Sequence, residues 1–202
     1  MMAHVKIPHC PPPSSSGPGR SPLKAKTGVR FPLGVLFFKT LMEKDIFSIL
    51  DELSIQFERI DHVPVYTSEQ ARKLMPHNAA ASAKNLFLRD KKGRRHFLLI
   101  VDDMKIVDFK SLARQIHSTQ LSIASPVRLT KYLQINPGAV SLLALINDPQ
   151  GEVQLLVDRS LWDNNAIQLH PLVNTSTLVI QMTYVNKFLD FTHHEPHFVD
   201  LD

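Results

Sequence analysis

A single cysteine, Cys10, lies in a stretch rich in proline and serine, so the 202-residue chain has no material for disulfide staples, a thiolate zinc site or a buried cysteine nucleophile. Such sparing use fits a reducing compartment. No apolar run approaches the roughly 20 residues that a membrane-crossing helix needs. G-x-S-x-G, Walker, G-x-G-x-x-G and H-E-x-x-H patterns are all missing, which removes the commonest hydrolase, NTPase, dinucleotide and zincin readings. There is no internal repeat. Acid is missing from residues 1–41, which hold six basic residues (Lys6, Arg20, Lys24, Lys26, Arg30, Lys39), while the remainder carries 17 basic against 19 acidic side chains. The net charge of +4 therefore originates in this leader, and the body is slightly acidic. Bulk charge is then a poor argument for a nucleic-acid partner, and any such site must be local.

What is present suggests two regions. "PHCPPPSSSGPGRSP" offers little apolar surface to offset ordering entropy and reads as flexible. The leader is basic and acid-free like a transit peptide, and "FPLGVLFF" resembles a signal-peptide core, but one that follows an unusually long charged region. Residues 1–41 are taken as an extension, or as an over-long start upstream of Met42, and residues 42–202 as one domain with a core of its own.

Within that domain, "EKDIFSILDEL" sets Ile46, Phe47 and Leu50 on one helical face, and "SIQFERI" reads as a strand. Thr67 is placed to cap a second helix. Lys84 to Val101 reads as a hairpin turning at Gly93, with strands apolar on both faces and hence central. "DFKSLARQIH" and "SPVRLTKYL" are expected helices, the latter with Ser125 as cap and Pro126 at the first position. "ALINDPQGEVQLLVD" reads as another hairpin. Strands at 167–169 and 178–182, a last helix and a terminal strand complete an α/β chain of the α+β type, with a mixed, largely antiparallel central sheet and flanking helices.

Three polar islands interrupt the apolar strands. Lys84 and Asn85 open the first hairpin strand. A lysine at the mouth of a buried strand costs desolvation unless an acceptor lies opposite it, whereas on an exposed strand end it costs nothing, and both alternatives stand. "HPLVNTST" adds His170, Asn174 and Thr175 and is otherwise an ordinary loop; "NPGAVSLLAL" adds Gly138, Ala139 and Ser141 and is otherwise a plain connector. Three such ends around one sheet would make a pocket. The cluster "HHEPH" is a weaker prospect: adjacent side chains diverge, and Pro196 breaks the helix that would align His193 with His197, so it reads as a solvated connection rather than a metal site.

"KNLFLRDKKG", "PGAVSLLALIND", "HPLVNTST" and "HHEPHFVDLD" together resemble, in order from about Met42 to Asp202, the YbaK/prolyl-tRNA-synthetase-associated domain family, and most closely its free-standing members that deacylate alanyl-tRNA(Pro). No class II synthetase motifs accompany them. The resemblance implies a cytoplasmic hydrolase that needs no cofactor or metal, orienting an already activated ester and a water. Lys84 matches the family's essential lysine, which implies that it holds the phosphate or ribose of the terminal adenosine and offsets charge developing at the ester. Asn85 would position the adenosine or water, His170, Asn174 and Thr175 would line the pocket, and backbone around Gly138, Ala139 and Ser141 would bind the aminoacyl amine. Two positions depart from the pattern: Ser82 stands where many relatives have histidine, and Leu142 where many have proline.

The implied partner is the acceptor stem of tRNA(Pro) carrying alanine, with prolyl-tRNA synthetase as a candidate second partner. A small cavity excludes proline by clash, but alanyl-tRNA(Ala) must be rejected through its acceptor stem. Arg89, Lys91, Lys92, Arg94 and Arg95 on the hairpin, with Arg128 and Lys131 on a helix, are candidate phosphate contacts, or else solubilising charges. Competing functions are a deacylase for another mischarged tRNA, such as cysteinyl-tRNA(Pro), and a tRNA- or nucleotide-binding module without catalysis.

Overall fold

The computed structural model describes residues 45–65, 70 and 80–201. The leader, Met42 and, apart from Gln70, the helix expected from Thr67 lie outside the described residues. Helix α1, Ile46–Glu52, starts at Asp45, whose carboxylate accepts from Phe47 N at 2.8 Å and Ser48 N at 3.1 Å. Those bonds, Ser48 first, hold the Asp45 pKa below the ordinary carboxylate value. Ile46, Ile49 and Leu50 are buried, and Phe47 packs at the core's margin.

Two sheets follow. Strands β1 (Phe57–Asp61), β6 (Ala166–Leu169) and β7 (Ser176–Gln181) form an antiparallel sheet in the order β1-β7-β6. The second sheet is built from β2 (Ala83–Arg89), β3 (His96–Asp102), β4 (Ser122–Ile123), β5 (Val153–Asp158) and β8 (His197–Val199), ordered β4-β2-β3-β5-β8. Strand β2 runs antiparallel to β3 and β4, whereas β3–β5 and β5–β8 are parallel. The architecture is thus mixed, with four of the six ladders among the described residues antiparallel.

Strand β3 explains its own composition. Leu98 and Ile100 face one core cluster with Phe87, Leu155 and Val157, while Phe97, Leu99 and Val101 face a second with Leu88, Leu156 and Val199. Both faces are covered, so an alternating pattern would have left polar groups inside. Helix α2, Phe109–Gln115, covers the second face with Leu112 and Ala113. The first face meets α1, α3 (Pro126–Leu133) and α5 (Met182–Thr192), along with β6 and β7. A single turn, α4, Arg159–Trp162, follows β5.

The β2–β3 turn matches its reading. Gly93 has φ +65°, and a Cβ there would lie 2.5 Å from the Arg128 guanidinium. Asp90 organises the turn by accepting from Arg94 N at 2.7 Å and Arg95 N at 3.2 Å. Burial raises the Asp90 pKa, but the backbone donors, Arg95 first, outweigh it and leave the carboxyl below its ordinary value.

Two readings change. "ALINDPQGEVQLLVD" is not a hairpin: Leu142–Asn147 is a 3-10 helix, and β5 pairs in parallel with β3 and β8. Residues Leu142 to Ile146 are buried on every side, and an apolar run of that kind carries no period to separate helix from strand. The turn itself stands, since Asp148 accepts from Glu152 N at 3.0 Å and Val153 N at 2.7 Å. Ser125 occupies the N-cap position of α3, with Pro126 at the start, but its side chain makes no capping bond.

Candidate active site

An isolated parallel bridge joins the two sheets at Ala81 and Ile167. Ala81 N donates to the Ala166 carbonyl at 2.8 Å, and Gln168 N donates to the Ala81 carbonyl at 3.0 Å. Because the segments run the same way from that anchor, three residues onward on each lie Lys84 and His170. Ser82 sits between the bridge and β2, and its carbonyl accepts from Asp103 N at 3.2 Å.

Lys84 lies opposite Val101, on the β2 face shared with Leu86 and Leu88. Its half-buried ammonium donates to the carbonyls of Asp103, at 3.4 Å, and Lys105, on the segment leaving β3. An ammonium has three donors, so this pair of acceptors leaves one N–H to aim elsewhere. Asn85 lies opposite Ile100 and alternates with Phe87, toward the cluster that β6 and β7 share. Its Oδ1 is buried and has no hydrogen-bond partner among the described residues. The two neighbours therefore address opposite faces of one strand end.

His170, which follows β6, has Nδ1 at 3.1 Å from the Ser176 carbonyl. A carbonyl only accepts, so Nδ1 carries the proton and the neutral ring presents Nε2 as an acceptor. Burial lowers the His170 pKa, the Ser176 bond partly opposes it, and His62 lowers it further. The ring centroids of His62 and His170 are 6.3 Å apart. Sequence reasoning does not find His62, because a lone histidine before Val63-Pro64 has no spacing signal. It follows β1 and places Nδ1 at 2.8 Å from the Val63 carbonyl and Nε2 at 3.0 Å from Thr177 Oγ1.

The His170–Thr175 loop is stapled to the chain after β1. His62 N donates to the Thr175 carbonyl at 2.9 Å, Val65 N to the Asn174 carbonyl at 3.0 Å, and Asn174 Nδ2 to the Val65 carbonyl at 3.2 Å. Asn174 thus holds the loop with its own side chain, while Thr175 is exposed. Leu172 sits at φ +62°, a left-handed conformation that a branched residue adopts only where its surroundings impose it.

The third island is held by bonds of its own. Gly138 has φ +90°, Ala139 N donates to the Asn136 carbonyl at 3.1 Å, and both Ala139 and Ser141 are buried. Ser141 Oγ caps the 3-10 helix by accepting from Leu143 N at 3.3 Å. Among the described residues, no hydrogen bond links this turn to Lys84 or His170. Leu142 is the first helical residue, a position where proline's fixed φ is tolerated.

The basic residues divide by what they already hold. Arg89 donates to the carbonyls of Asp90 and Lys91, Arg95 to that of His117 and to Gln154, and Arg128 to Gly93 O at 3.1 Å and His96 Nε2 at 2.8 Å. Lys131 lies 3.2 Å from the Tyr132 hydroxyl. Lys91, Lys92 and Arg94 are exposed at the turn. At about 3.4 Å per residue, Arg89 is about 17 Å from Lys84 along the strand, so the tip cannot reach the atoms that Lys84 reaches.

"HHEPH" departs from a simple solvated connection. His193 and His197 are exposed, but His194 is buried with Nε2 at 3.2 Å from Asp148. Among the described residues, no three His, Cys, Asp or Glu side chains are grouped to hold a metal. A cavity of about 400 Å³ lined by Arg95, Gln154, His193, His194, Glu195 and His197 opens there, away from both Lys84 and His170.

Comparison with known proteins bears on this arrangement. The prolyl-tRNA editing protein ProX of Acetoanaerobium sticklandii is 41% identical over 140 residues, covering 69% of this chain and 85% of that protein. Prolyl-tRNA synthetase associated domain-containing protein 1 of Danio rerio is 31% identical over 163 residues, covering 80% of this chain and 88% of its own length. A solved structure described as a candidate trans-editing enzyme for prolyl tRNA synthetase superposes with a TM-score of 0.53 over 72% of this chain and 86% of that one; at 15% identity it speaks to the fold alone. The family described as the aminoacyl-tRNA editing domain matches residues 62–188, a span that opens at His62 and encloses both Lys84 and His170. The chain belongs to the aminoacyl-tRNA editing domain family.

Proposed function

We propose that this protein hydrolyses alanine from mischarged tRNA(Pro) in trans, in the cytoplasm, with Lys84 as the cation at the aminoacyl ester. The observation that carries the reading is the Ala81–Ile167 bridge, which sets the strand ends that bear Lys84 and His170 beside one backbone anchor; the ammonium itself is turned to the β2 face away from the β6–β7 cluster. The 41% identity to a prolyl-tRNA editing protein supports tRNA(Pro) as the substrate.

In this reading water attacks the ester carbonyl carbon. The bond from that carbon to the ribose oxygen breaks, the oxygen takes a proton, and free alanine and uncharged tRNA leave. The ester is already activated by its ammonium and ribose neighbours, so orientation does most of the work. Lys84's remaining N–H faces the negative charge that grows on the ester or the adjacent phosphate. Neutral His170, its Nδ1 proton held by Ser176, offers Nε2 to a water or ribose hydroxyl. Asn85 Oδ1 supplies a further acceptor on the other face of the strand end. Asn174 and Thr175 shape the wall through the loop they staple. The Gly138–Ser141 turn, with Ala139, borders the amine end, and prolyl-tRNA synthetase is the source of the substrate.

The test is a panel of alanyl-, cysteinyl-, seryl- and prolyl-tRNA(Pro) with alanyl-tRNA(Ala), incubated with the purified protein. Loss of alanine from tRNA(Pro) ahead of the other four supports the reading. Preferential loss of cysteine reassigns the substrate, and no loss above background makes the protein a binding module.

A further inference from the structure

The segment that holds Lys84 is itself held by residues beyond it on the same face of the sheet, at the end of β5 and after β8. Asp102 starts it, accepting from Met104 N at 2.8 Å through Oδ1 and from Lys105 N at 3.2 Å through its carbonyl. The Lys105 side chain then turns inward. Its ammonium lies 3.0 Å from Asp158 Oδ2, 3.1 Å from Asp158 Oδ1 and 2.9 Å from Ser160 Oγ, and it donates to the Leu201 carbonyl. Asp158 is 1% exposed at the end of β5, and its Oδ2 also accepts from Ser160 Oγ at 3.2 Å. A carboxylate so deeply buried is tolerable only with a charged partner and satisfied oxygens, so the pair is tightly bound in place.

We propose that Lys105 and Asp158 are positioning residues for the editing reaction: their ion pair fixes the backbone at Asp103 and Lys105, whose carbonyls set the direction of the Lys84 ammonium. The chain of contacts is Asp158 carboxylate, Lys105 ammonium, Lys105 carbonyl, Lys84 ammonium. One residue takes part twice, through its side chain and its backbone, so the relay has a single covalent link at its centre. The proposal rests on the reading of Lys84 given above. An error of about 1 Å in a reacting group can cost up to about a hundredfold in rate, so loosening one of two acceptors should matter.

A double-mutant cycle tests it. In single-turnover deacylation of alanyl-tRNA(Pro), Asp158→Asn should lower the rate at saturating protein about tenfold while leaving the half-saturating concentration unchanged. Added to Lys84→Ala, the same change should cost nothing further, because the residue it positions is gone. Equal losses in both backgrounds would mark Asp158 as merely structural and overturn the proposal. A wild-type rate for Asp158→Asn, with Lys84→Ala impaired, would overturn it while sparing the role of Lys84. Full activity in Lys84→Ala would overturn both. If Asp158→Asn does not fold, Lys105→Gln, which keeps the aliphatic stem and a donor, decides the matter by the same comparison.

Discussion

Arg128 is by sequence a candidate phosphate contact, yet its guanidinium already serves the interior, and Arg128→Met separates the two roles. In the structure Nη1 donates to Gly93 O at 3.1 Å and to His96 Nε2 at 2.8 Å. His96 is 1% exposed, stacked on Phe87 and packed on Tyr132, with ring centroids 5.8 and 3.9 Å away. Methionine keeps much of the stem's volume but strands a buried ring nitrogen, which costs about 1–3 kcal/mol, and a turn carbonyl that water can reach, which costs less. A loss of about 2–3 kcal/mol follows, and at about 2–4 °C per kcal/mol for a domain of this size Tm should fall by about 4–12 °C. Burial first, and the Arg128 charge second, hold the His96 pKa below its ordinary value, so the variant should let that pKa rise. The assay is thermal unfolding across pH, beside the salt dependence of tRNA binding. An unchanged Tm, with the slope of log affinity against log salt reduced by about one, would refute the reasoning and make Arg128 a phosphate ligand.

Other expectations are briefer. Gly93→Ala should destabilise by about 1–3 kcal/mol, because it combines a positive φ with a Cβ against the Arg128 guanidinium; unfolding in urea with an unchanged midpoint would contradict it. His170 is held below its ordinary pKa, so as pH falls below 6.5 the unfolded chain gains the proton first and folded stability declines toward the lowered folded value. The same depression keeps Nε2 unprotonated, so single-turnover deacylation, corrected for spontaneous ester loss, should hold through pH 6.5 and fall only below it. A midpoint at or above 6.5, absent in His170→Asn, would contradict this. Alanine at exposed Lys91, Lys92 and Arg94 should leave Tm in place and flatten the salt dependence of tRNA binding, by about one unit of slope for each phosphate that is no longer neutralised; a slope unchanged by all three substitutions would make them solubilising charges.

Legibility in the sequence followed the strength of local signals. The β2–β3 hairpin was readable because Gly93 needs a positive φ and β3 is apolar from Phe97 to Val101, which is what a strand buried on both faces requires. The Leu142–Asn147 helix was not, since burial on all sides erases the alternation that separates helix from strand. His62 enters the site through strand pairing: β1 lies against β7, which carries Thr177, and no sequence spacing encodes that neighbour. The inward turn of His194 is equally non-local, depending on an aspartate 46 positions earlier. Lys84 was recognisable from the motif it opens, but the two carbonyls that hold it come from backbone, which carries no residue signature.

The most direct measurement is the single-turnover rate of alanyl-tRNA(Pro) deacylation by Lys84→Ala against the unaltered protein, with folding checked by thermal unfolding. Loss of the ammonium should remove about 3 kcal/mol of transition-state stabilisation, about a hundredfold in rate, at an unchanged fold. A folded Lys84→Ala protein that clears alanine from tRNA(Pro) as fast as the original would contradict the account at its root.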